Sequence, residues 1–180
     1  FSFQAISINN FINTISDIYS LDMASSGVQF EINQPFTKVI TDQLESNEKL
    51  TTETMSNLEL SIDIEKIERV FSNLFSNSIK YSMGEPKIKL DLELTDDFTN
   101  LIVKVTDNGI GISPDDLPHI FDRSFKTSSN QMVDGNTSNG LGLAIIKEIL
   151  AHHGGDIWAS SKLGVGSCFS FNLPLCNNDK

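Results

Sequence analysis

Two neighbouring segments with alternating apolar and polar residues constrain the fold of this chain more than any other feature. KIKLDLELT (87–95) and NLIVKVTD (100–107) show the two-residue period of half-buried strands, and only DDFT (96–99) separates them. They are therefore predicted to pair as a hairpin. GDIWASS (155–161) and GSCFSFNLP (166–174) are predicted to form a second, closing hairpin around a glycine-containing turn.

Three other segments have apolar residues at the spacing of an amphipathic helix. Asp63 is the predicted N-cap of the second segment, and Gly154 with Gly155 ends the third. The predicted helices are 5–24, 63–82 and 141–153, with short strands at 28–32, as an edge strand, and at 58–62. Because the helices fall between strands that pair largely as hairpins, the predicted fold is α/β (α+β), a two-layer sandwich with helices on one face of a mixed sheet.

Composition narrows the class of protein. With 180 residues and 39% hydrophobic content, the chain is the size of one domain. The 13 basic and 24 acidic residues give a net charge of −11, which disfavours broad binding to nucleic acid or anionic lipid. Two cysteines and no long apolar run predict a cytoplasmic location, although the parent protein could be membrane-anchored. A chain that begins with Phe1 is expected to be a piece of a longer protein or a processed product.

Four residues of the second predicted helix form a stripe along one face: Asn73, Asn77, Lys80 and Tyr81. An amide oxygen suits Mg²⁺, which makes Asn77 the candidate ligand. The Lys80 ammonium can meet phosphate oxygens, and Tyr81 can pack against a base or sugar. The alternative interpretation is an ordinary helix with polar residues on its solvent-exposed face.

DNGIGI (107–112) ends an apolar strand and contains a candidate adenine site. The carboxylate of Asp107 only accepts hydrogen bonds, so it would accept one from the exocyclic amine of adenine and repel the carbonyl of guanine. Gly109 and Gly111 would let the backbone approach the purine ring. The alternative interpretation is a hairpin turn, which Asp-Asn-Gly also favours.

NGLGLAI (139–145) lies between a polar segment, TSSNQMVDGNTSN (127–139), and a helix. Free N–H groups and the positive end of that helix can bind phosphate, and Gly140 and Gly142 remove side chains that would block it. Close packing would explain the same glycines. The polar segment is predicted to be a mobile loop.

IFDRSFK (120–126) precedes that loop and follows a short helix predicted from Pro114 to near Phe121. Phe121 and Phe125 are predicted to form a hinge, with Arg123 and Lys126 as candidate phosphate contacts. Two aromatic residues four apart are also typical of an ordinary core.

Together, NLFSNSIKYS, DNGIGI, IFDRSF, NGLGLAI and GVGSCFSFNLP resemble the N, G1, F, G2 and G3 boxes of the sensor histidine kinase ATP-binding domain. That family belongs to the gyrase, Hsp90, histidine kinase and MutL superfamily. The similarity is clear from Asp63 to Pro174, and the helix and strand before this range also fit. It implies a mixed sheet of about five strands under three helices, with Mg-ATP bound beneath a lid at about 127–139. Residues 1–24 would form a connecting helix, the trailing end of a dimerisation or linker region, and 25–180 the catalytic domain.

The resemblance also implies roles for individual residues. Asn73, Asn77 and Lys80 would be catalytic, Asn77 would bind Mg²⁺, and Ser167 would assist Asp107 through water. The complete set predicted to bind ATP is Asn73, Asn77, Lys80, Tyr81, Asp107, Gly109, Gly111, Ile112, Arg123, Lys126, Gly140, Leu141, Gly142, Leu143 and Ser167.

Asn73 discriminates within the superfamily, because the ATPase branches resemble a pattern with Glu at this position. An amide cannot serve as the general base for water. The resemblance therefore implies donation of the γ-phosphate of ATP to a histidine on a separate dimerisation domain, with a response regulator receiver domain downstream, and a monomeric fragment. The alternatives are a degenerate nucleotide-sensing or interaction module and an ATPase of the same superfamily.

Some features depart from the family pattern. Ser138 replaces the first glycine of the usual GxGLGL motif, and the polar stretch 41–57 is longer than expected. None of the histidines, His119, His152 and His153, has the acidic, proline-containing context of a phosphoacceptor. They are predicted to be structural or surface residues, with the acceptor histidine upstream.

Overall fold

The fold is taken from a computed structural model that describes residues 1–33, 58–125 and 140–176. The predicted loops at 41–57 and 127–139 lie outside these ranges. In chain order the elements are β1 (Gln4–Ser7), α1 (Ile8–Ser25), β2 (Gln29–Asn33), β3 (Glu59–Ile62), α2 (Ile64–Lys80), β4 (Lys87–Leu94), β5 (Asn100–Asp107), α3 (Gly142–His152), β6 (Ile157–Lys162) and β7 (Gly166–Pro174).

Five strands form one mixed sheet in the order β2-β4-β5-β7-β6. β2 is parallel to β4 and lies at the edge, as predicted, while the other neighbouring pairs are antiparallel. Both predicted hairpins are therefore confirmed, one between β4 and β5 and one between β6 and β7. The two-layer α/β architecture with a mixed sheet and three main helices is also confirmed.

One face of the sheet is a continuous apolar layer. Leu90 pairs with Val105, and Val105 pairs with Phe169 across the next strand. All three are buried, and so are Val103 and Phe171, which pair with each other two residues further along the same strands. Residues two apart on a strand share a face, so Asp107 continues the row of Val103 and Val105 at the end of β5. The polar end of β5 is thus directed toward the helical layer.

The helices cover this apolar face. Asp63 caps α2 as predicted, because its Oδ1 accepts a hydrogen bond from the Lys66 N–H at 3.2 Å. Phe71 and Phe75 of α2 are buried, and Phe71 packs edge-on against Phe171 of β7. Tyr19 of α1 donates a hydrogen bond to the carbonyl of Glu68 at 3.0 Å. Burial and the nearby Glu68 charge raise the pKa of Tyr19 to about 12.

The start of the first helix differs from the prediction. Residues Gln4–Ser7 form a strand that pairs antiparallel with β3 in a separate two-stranded sheet, so the helix begins at Ile8 and not at residue 5. Ser7 caps it, since its side chain accepts the Asn10 N–H at 3.3 Å. A four-residue strand shows too little periodicity to be distinguished from a helix start. α1 is nevertheless part of the common core, where Phe11 and Ile15 are buried.

The short helix predicted from Pro114 to near Phe121 is smaller than expected. Turns follow Pro114, and only Leu117–His119 forms a single 3-10 turn.

Candidate functional site

A cavity of about 380 Å³ lies where the end of β5, the end of α2 and the start of α3 meet. Twelve of the predicted ATP-binding residues line it: Asn73, Asn77, Tyr81, Asp107, Gly109, Gly111, Ile112, Gly140, Leu141, Gly142, Leu143 and Ser167. Residues that are far apart in sequence are thus brought to one place. Their roles toward a ligand stay predictions.

Apolar side chains that were not predicted as ligand contacts complete the wall of the cavity. They are Ile110, Ile120, Phe125, Ile145 and Phe169. Phe125 was expected at a hinge, and it lines the cavity at the last described residue before position 140. The others have the spacing of ordinary core residues, so the sequence carries no signal that separates them from the rest of the core.

Asp107 is held firmly at one end of the cavity, which we call the base end. Its Oδ1 accepts hydrogen bonds from the N–H of Gly109 at 2.8 Å and of Ser167 at 3.1 Å. Its Oδ2 lies 3.4 Å from the hydroxyl of Ser78. Burial raises the pKa of Asp107 above its ordinary range, although these three donors oppose the shift by stabilising the charged form. The carboxylate therefore has a defined orientation before any ligand binds.

Gly109 and Gly111 are required by contacts within the protein. A Cβ on Gly109 would lie 2.8 Å from the Tyr81 carbonyl oxygen. Gly111 has a φ of +72°, and a Cβ there would lie 2.2 Å from the carbonyl oxygen of Lys162. The loop after β5 thus passes between the end of α2 and the end of β6, where backbone meets backbone. Approach to a purine ring, the reason expected from the sequence, stays a prediction beside this structural one.

Ser161 connects this loop to β7, and the sequence analysis did not identify it. Its Oγ accepts the N–H of Ile112 at 2.8 Å and lies 2.9 Å from both the Gly166 carbonyl oxygen and the Ser167 Oγ. Ser161 faces Ser167 because the two are paired in the β6–β7 register. Only that register reveals the contact, since nothing in the residues next to Ser161 in the sequence indicates its partner.

The opposite end of the cavity, which we call the phosphate end, is formed by α2 and the start of α3. The Asn73 side-chain N–H₂ donates to the Arg69 carbonyl at 2.8 Å, which directs Oδ1 away from its own turn. A Cβ on Gly142, the first residue of α3, would lie 3.3 Å from that Oδ1. Asn77 lines the cavity one turn along α2 and, like Asn73, is half-buried. This end therefore presents two amide groups beside a helix N-terminus.

Two predicted phosphate contacts, Lys80 and Arg123, are not among the described residues that line the cavity. Lys80 is exposed, with its ammonium 5.2 Å from the centre of the Tyr81 ring. The guanidinium of Arg123 lies 3.1 Å from the Glu148 carboxylate, and both side chains are largely exposed. Lys126, with Ser138, lies outside the described residues. Their contacts with phosphate stay predictions.

Ser124 and Gly140, on the two sides of residues 126–139, are in contact through their backbones. The N–H of Ser124 donates to the carbonyl of Gly140 at 3.1 Å. Gly140 has a φ of +63°, and a Cβ there would lie 2.5 Å from the Phe125 carbonyl oxygen. Glycine is therefore needed where these two backbones meet.

The described residues that line the cavity suit a Mg²⁺ ion bound by protein and nucleotide together better than a metal ion bound by protein side chains alone. Within residues 1–33, 58–125 and 140–176, no group of three or more His, Cys, Asp or Glu side chains is arranged to hold a metal ion. Magnesium commonly binds through one or two protein oxygens together with phosphates and waters. The amide oxygen of Asn77 can supply such a ligand.

The three histidines have ordinary partners. His153 is buried, where its Nε2 accepts the N–H of Asp63 at 3.0 Å and its Nδ1 lies 2.7 Å from the Ile149 carbonyl oxygen. His119 and His152 are exposed and lie beside Asp122 and the Glu148 carbonyl, respectively.

In the part of the chain that the structure describes, no helix has the length and apolarity needed to span a bilayer.

Comparison with known proteins was made on sequence and on structure. The family model for the histidine kinase-, DNA gyrase B-, and HSP90-like ATPases matches residues 62–177. The sensor histidine kinase WalK of Bacillus subtilis (strain 168) is 36% identical over 145 residues, which cover 77% of this chain and 23% of that protein. The sensor protein kinase WalK of Staphylococcus haemolyticus (strain JCSC1435) is 32% identical over 174 residues, covering 95% of this chain and 24% of that protein. The chain thus spans about a quarter of the length of these relatives.

Solved structures show the same fold. The nucleotide-free catalytic domain of histidine kinase ThkA superposes with a TM-score of 0.66 at 24% identity, covering 97% of this chain and 98% of that one. ThkA in complex with the response regulator protein TrrA gives a TM-score of 0.65 at 22% identity, covering 99% of this chain and 43% of that one.

Proposed function

This chain belongs to the family of histidine kinase-, DNA gyrase B- and HSP90-like ATPases, and we propose that it is the ATP-binding catalytic part of a cytoplasmic sensor kinase module. In this role it binds Mg-ATP and donates the γ-phosphate to a histidine on a separate dimerisation domain. The relatives named sensor histidine kinases support this assignment. The structural neighbour solved with a response regulator supports a receiver domain as the next acceptor.

The observation that carries the proposal is the amide of Asn73 at the phosphate end of the cavity, where the described residues supply no general base. Asp107 is the only carboxylate among the described residues that line the cavity, and two backbone N–H groups hold it at the base end. Asn73 occupies the phosphate end, and its amide cannot take a proton from water. The described residues therefore favour transfer of a phosphoryl group over its hydrolysis.

The base end accounts for recognition of adenine. Oδ1 of Asp107 is already bonded to two backbone N–H groups, so Oδ2 is the oxygen left to accept the exocyclic amine. The apolar wall, which includes Ile110 and Phe169, encloses the flat faces of the ring. Tyr81 also lines the cavity, and there it would contact the base or sugar.

The phosphate end orients the group that is transferred. The first N–H groups of α3 have no partner within the helix, and the residues at this positive end of the helix dipole, Gly142 and Leu143, line the cavity. Asn77 would hold Mg²⁺, which neutralises phosphate charge when it is bound. The amide of Asn73, fixed by the Arg69 carbonyl, positions the phosphates without attacking them.

The transfer itself requires a second domain. An imidazole nitrogen of the acceptor histidine forms a bond to the γ-phosphorus while the bond between that phosphorus and the β–γ bridging oxygen breaks. ADP leaves with the bond electrons, and the imidazole loses its proton to a base on the acceptor domain. The described histidines do not supply the acceptor: His153 is bonded at both nitrogens, and neither His119 nor His152 lines the cavity.

The test uses the 180-residue chain, ATP labelled at the γ-phosphate, Mg²⁺ and the histidine-bearing dimerisation domain of a WalK relative. We expect label on that domain that is lost in acid and stable in base, which is the behaviour of a phosphorus–nitrogen bond. Asn77→Ala should abolish most of this label. Asn9→Ala, an exposed amide that does not line the cavity, is the matched control.

Two outcomes contradict the proposal. Binding of ATP with rapid release of inorganic phosphate and no labelled protein would identify an ATPase. If ATP binds but is neither hydrolysed nor used to label any of several dimerisation domains, the chain is a nucleotide-sensing module.

A further inference from the structure

Ser78 is a buried hydroxyl directly behind the base end of the cavity. It is 3% exposed and follows Asn77 on α2, but it is not among the described residues that line the cavity. Its Oγ lies 3.0 Å from the carbonyl oxygen of Leu74 and 3.4 Å from Oδ2 of Asp107. A hydroxyl has one proton, so these two acceptors share it. The Leu74 carbonyl also has its ordinary helical bond, so the second bond is not needed to satisfy it.

The two oxygens of Asp107 have different surroundings. Oδ1 accepts two backbone N–H groups, from Gly109 and Ser167. For Oδ2, Ser78 is the hydrogen-bond donor found among the described residues. Burying a carboxylate without enough donors favours its protonated form. Removal of the Ser78 hydroxyl would leave Oδ2 without a hydrogen-bond donor from the described residues.

We propose that Ser78 is a positioning residue that sets the purine specificity of the cavity, because its hydroxyl keeps Asp107 Oδ2 a pure hydrogen-bond acceptor. This inference rests on the proposed nucleotide site and deepens it. The ligand class is a purine nucleoside triphosphate, and the property that Ser78 controls is the choice between adenine and guanine.

The chemistry of the two bases explains the choice. Adenine has an amine at C6, which donates to an ionised carboxylate, whereas guanine has a carbonyl oxygen there, which an ionised carboxylate repels. A protonated carboxyl group reverses this preference, since its O–H donates to the guanine carbonyl. Discrimination therefore requires that Asp107 stay ionised when it is surrounded by the ligand. Burial of Asp107 opposes ionisation, and the Ser78 hydroxyl supports it.

Other charged groups near Asp107 do not replace Ser78. The elements packed around it carry Lys80 on α2, Lys87 and Lys89 on β4, and Lys162 on β6. In the described part of the chain, no ion pair or hydrogen bond joins any of these side chains to Asp107. Among the described residues that line the cavity, Tyr81 is the other titratable one. The ionised form of Asp107 is thus stabilised by uncharged donors, which are Ser78, Gly109 and Ser167.

The experiment measures binding of ATP and of GTP by calorimetry to the wild-type chain and to Ser78→Ala. Titrations at several pH values from about 8 downward follow the Asp107 carboxyl, whose pKa is raised by burial, from its ionised toward its protonated form. We expect Ser78→Ala to weaken ATP binding by about tenfold at the higher pH, as for loss of a hydrogen bond to a charged group. GTP binding should not weaken, so the ratio of the two affinities falls by about tenfold. In the variant, the pH below which ATP binding declines should move upward.

Ser76→Ala is the matched control, because Ser76 is exposed on the same helix and does not line the cavity. It should leave both affinities and their pH dependence unchanged. The free energy of unfolding of each variant separates a positioning role from a structural one. If Ser78→Ala does not fold, Ser78→Cys keeps the size of the side chain with a weaker donor, and the same loss of selectivity is expected.

The outcomes separate this inference from the proposed function. A wild-type chain that binds neither nucleotide overturns the proposed function. If the wild-type chain prefers ATP and the Ser78→Ala variant has the same selectivity and pH dependence, the role of Ser78 is overturned and the proposed function is not. An equal loss of ATP and GTP binding also overturns it, because that result indicates general damage to the cavity.

Discussion

The base end and the phosphate end of the cavity are built in different ways. At the base end, Asp107 is fixed by backbone N–H groups from its own loop and from β7, and the loop is packed against the ends of α2 and β6. At the phosphate end, half-buried amides project from one face of α2 toward the start of α3. The base end is a junction of backbones, whereas the phosphate end is a set of side chains.

Because of this difference, the two ends should contribute differently to the stability of the fold and to nucleotide binding. A change at the base end moves backbone that also closes the sheet, so it affects both folding and recognition. A change at the phosphate end moves side chains that the core does not need, so it affects binding alone. Substitutions at the two ends should therefore give different ratios of lost stability to lost affinity.

The largest effect is expected for Gly111→Ala at the base end. The residue has a φ of +72°, and the new Cβ would lie 2.2 Å from the Lys162 carbonyl oxygen, so the loop or β6 must move. We expect the free energy of unfolding to fall by about 3 kcal/mol or more, measured by urea denaturation. An equally stable variant would contradict the description of this end as a junction of backbones.

Gly142→Ala is the matched change at the phosphate end. Gly142 begins α3 without a left-handed φ, so alanine should alter the free energy of unfolding by less than about 1 kcal/mol. Its Cβ would lie 3.3 Å from Asn73 Oδ1 and displace that amide. We expect ATP affinity to fall by about tenfold. A large loss of stability here would remove the contrast between the two ends.

Asp107→Asn tests recognition at the base end without a change of shape. The asparagine oxygen can still accept the N–H groups of Gly109 and Ser167. Its N–H₂ group then takes the place of Oδ2 and cannot accept a hydrogen bond from the exocyclic amine of adenine. We expect ATP affinity to fall by about 100-fold, close to 2.7 kcal/mol, in calorimetric titrations. Equal affinities in the two proteins would show that Asp107 does not contact the base.

Asp107→Asn should also change how the free energy of unfolding depends on pH. The pKa of Asp107 is raised in the folded state, so its contribution to stability is complete below the unfolded-state pKa and is lost as pH rises through the folded-state pKa. The asparagine side chain of the variant does not titrate. The free energy of unfolding of Asp107→Asn relative to wild type should therefore increase between acidic and neutral pH, as measured by urea denaturation at several pH values. A relative decrease over this range contradicts the raised pKa.

Asn77→Ala tests the predicted metal ligand at the phosphate end. We expect affinity for Mg-ATP to fall by about tenfold, while affinity for ATP measured with a chelator present stays the same. The free energy of unfolding should change little, because Asn77 is half-buried and its side chain closes no backbone junction. Equal losses with and without Mg²⁺ would assign Asn77 a contact with the nucleotide itself.

The smallest effect is expected for Arg123→Ala. The exposed pair with Glu148 contributes little to stability, so the free energy of unfolding should change by less than about 0.5 kcal/mol. If Arg123 leaves Glu148 to contact the γ-phosphate, the variant binds ATP about threefold more weakly and binds ADP normally, a difference that calorimetry resolves. Glu148→Ala releases the same guanidinium and should not weaken ATP binding. Equal effects on ATP and ADP would contradict a contact with the γ-phosphate.

Local patterns were sufficient to predict most elements. Alternation in β4 and β5 and the cap at Asp63 depend on nearby residues, and both predictions are confirmed. The strand before α1 was missed, because four residues whose partner, β3, lies more than fifty positions away carry no local pattern of their own. The apolar wall of the cavity was missed for a related reason. Its residues are typical core residues, and only tertiary structure separates a side chain that faces a cavity from one that faces another side chain.

The sequence by itself determined the order of the elements, the set of residues with suitable chemistry and the absence of a glutamate at position 73. These properties depend on the identity and spacing of residues, which the chain carries before it folds. Tertiary structure alone made glycine necessary at position 111, opposite the Lys162 carbonyl. It alone brought Ser78 to Asp107 at the end of β5 and Ser161 to the N–H of Ile112. It also placed the predicted phosphate contact Arg123 beside Glu148. Such contacts depend on strand register and on how closely backbones approach, and neither is encoded within a short segment of sequence.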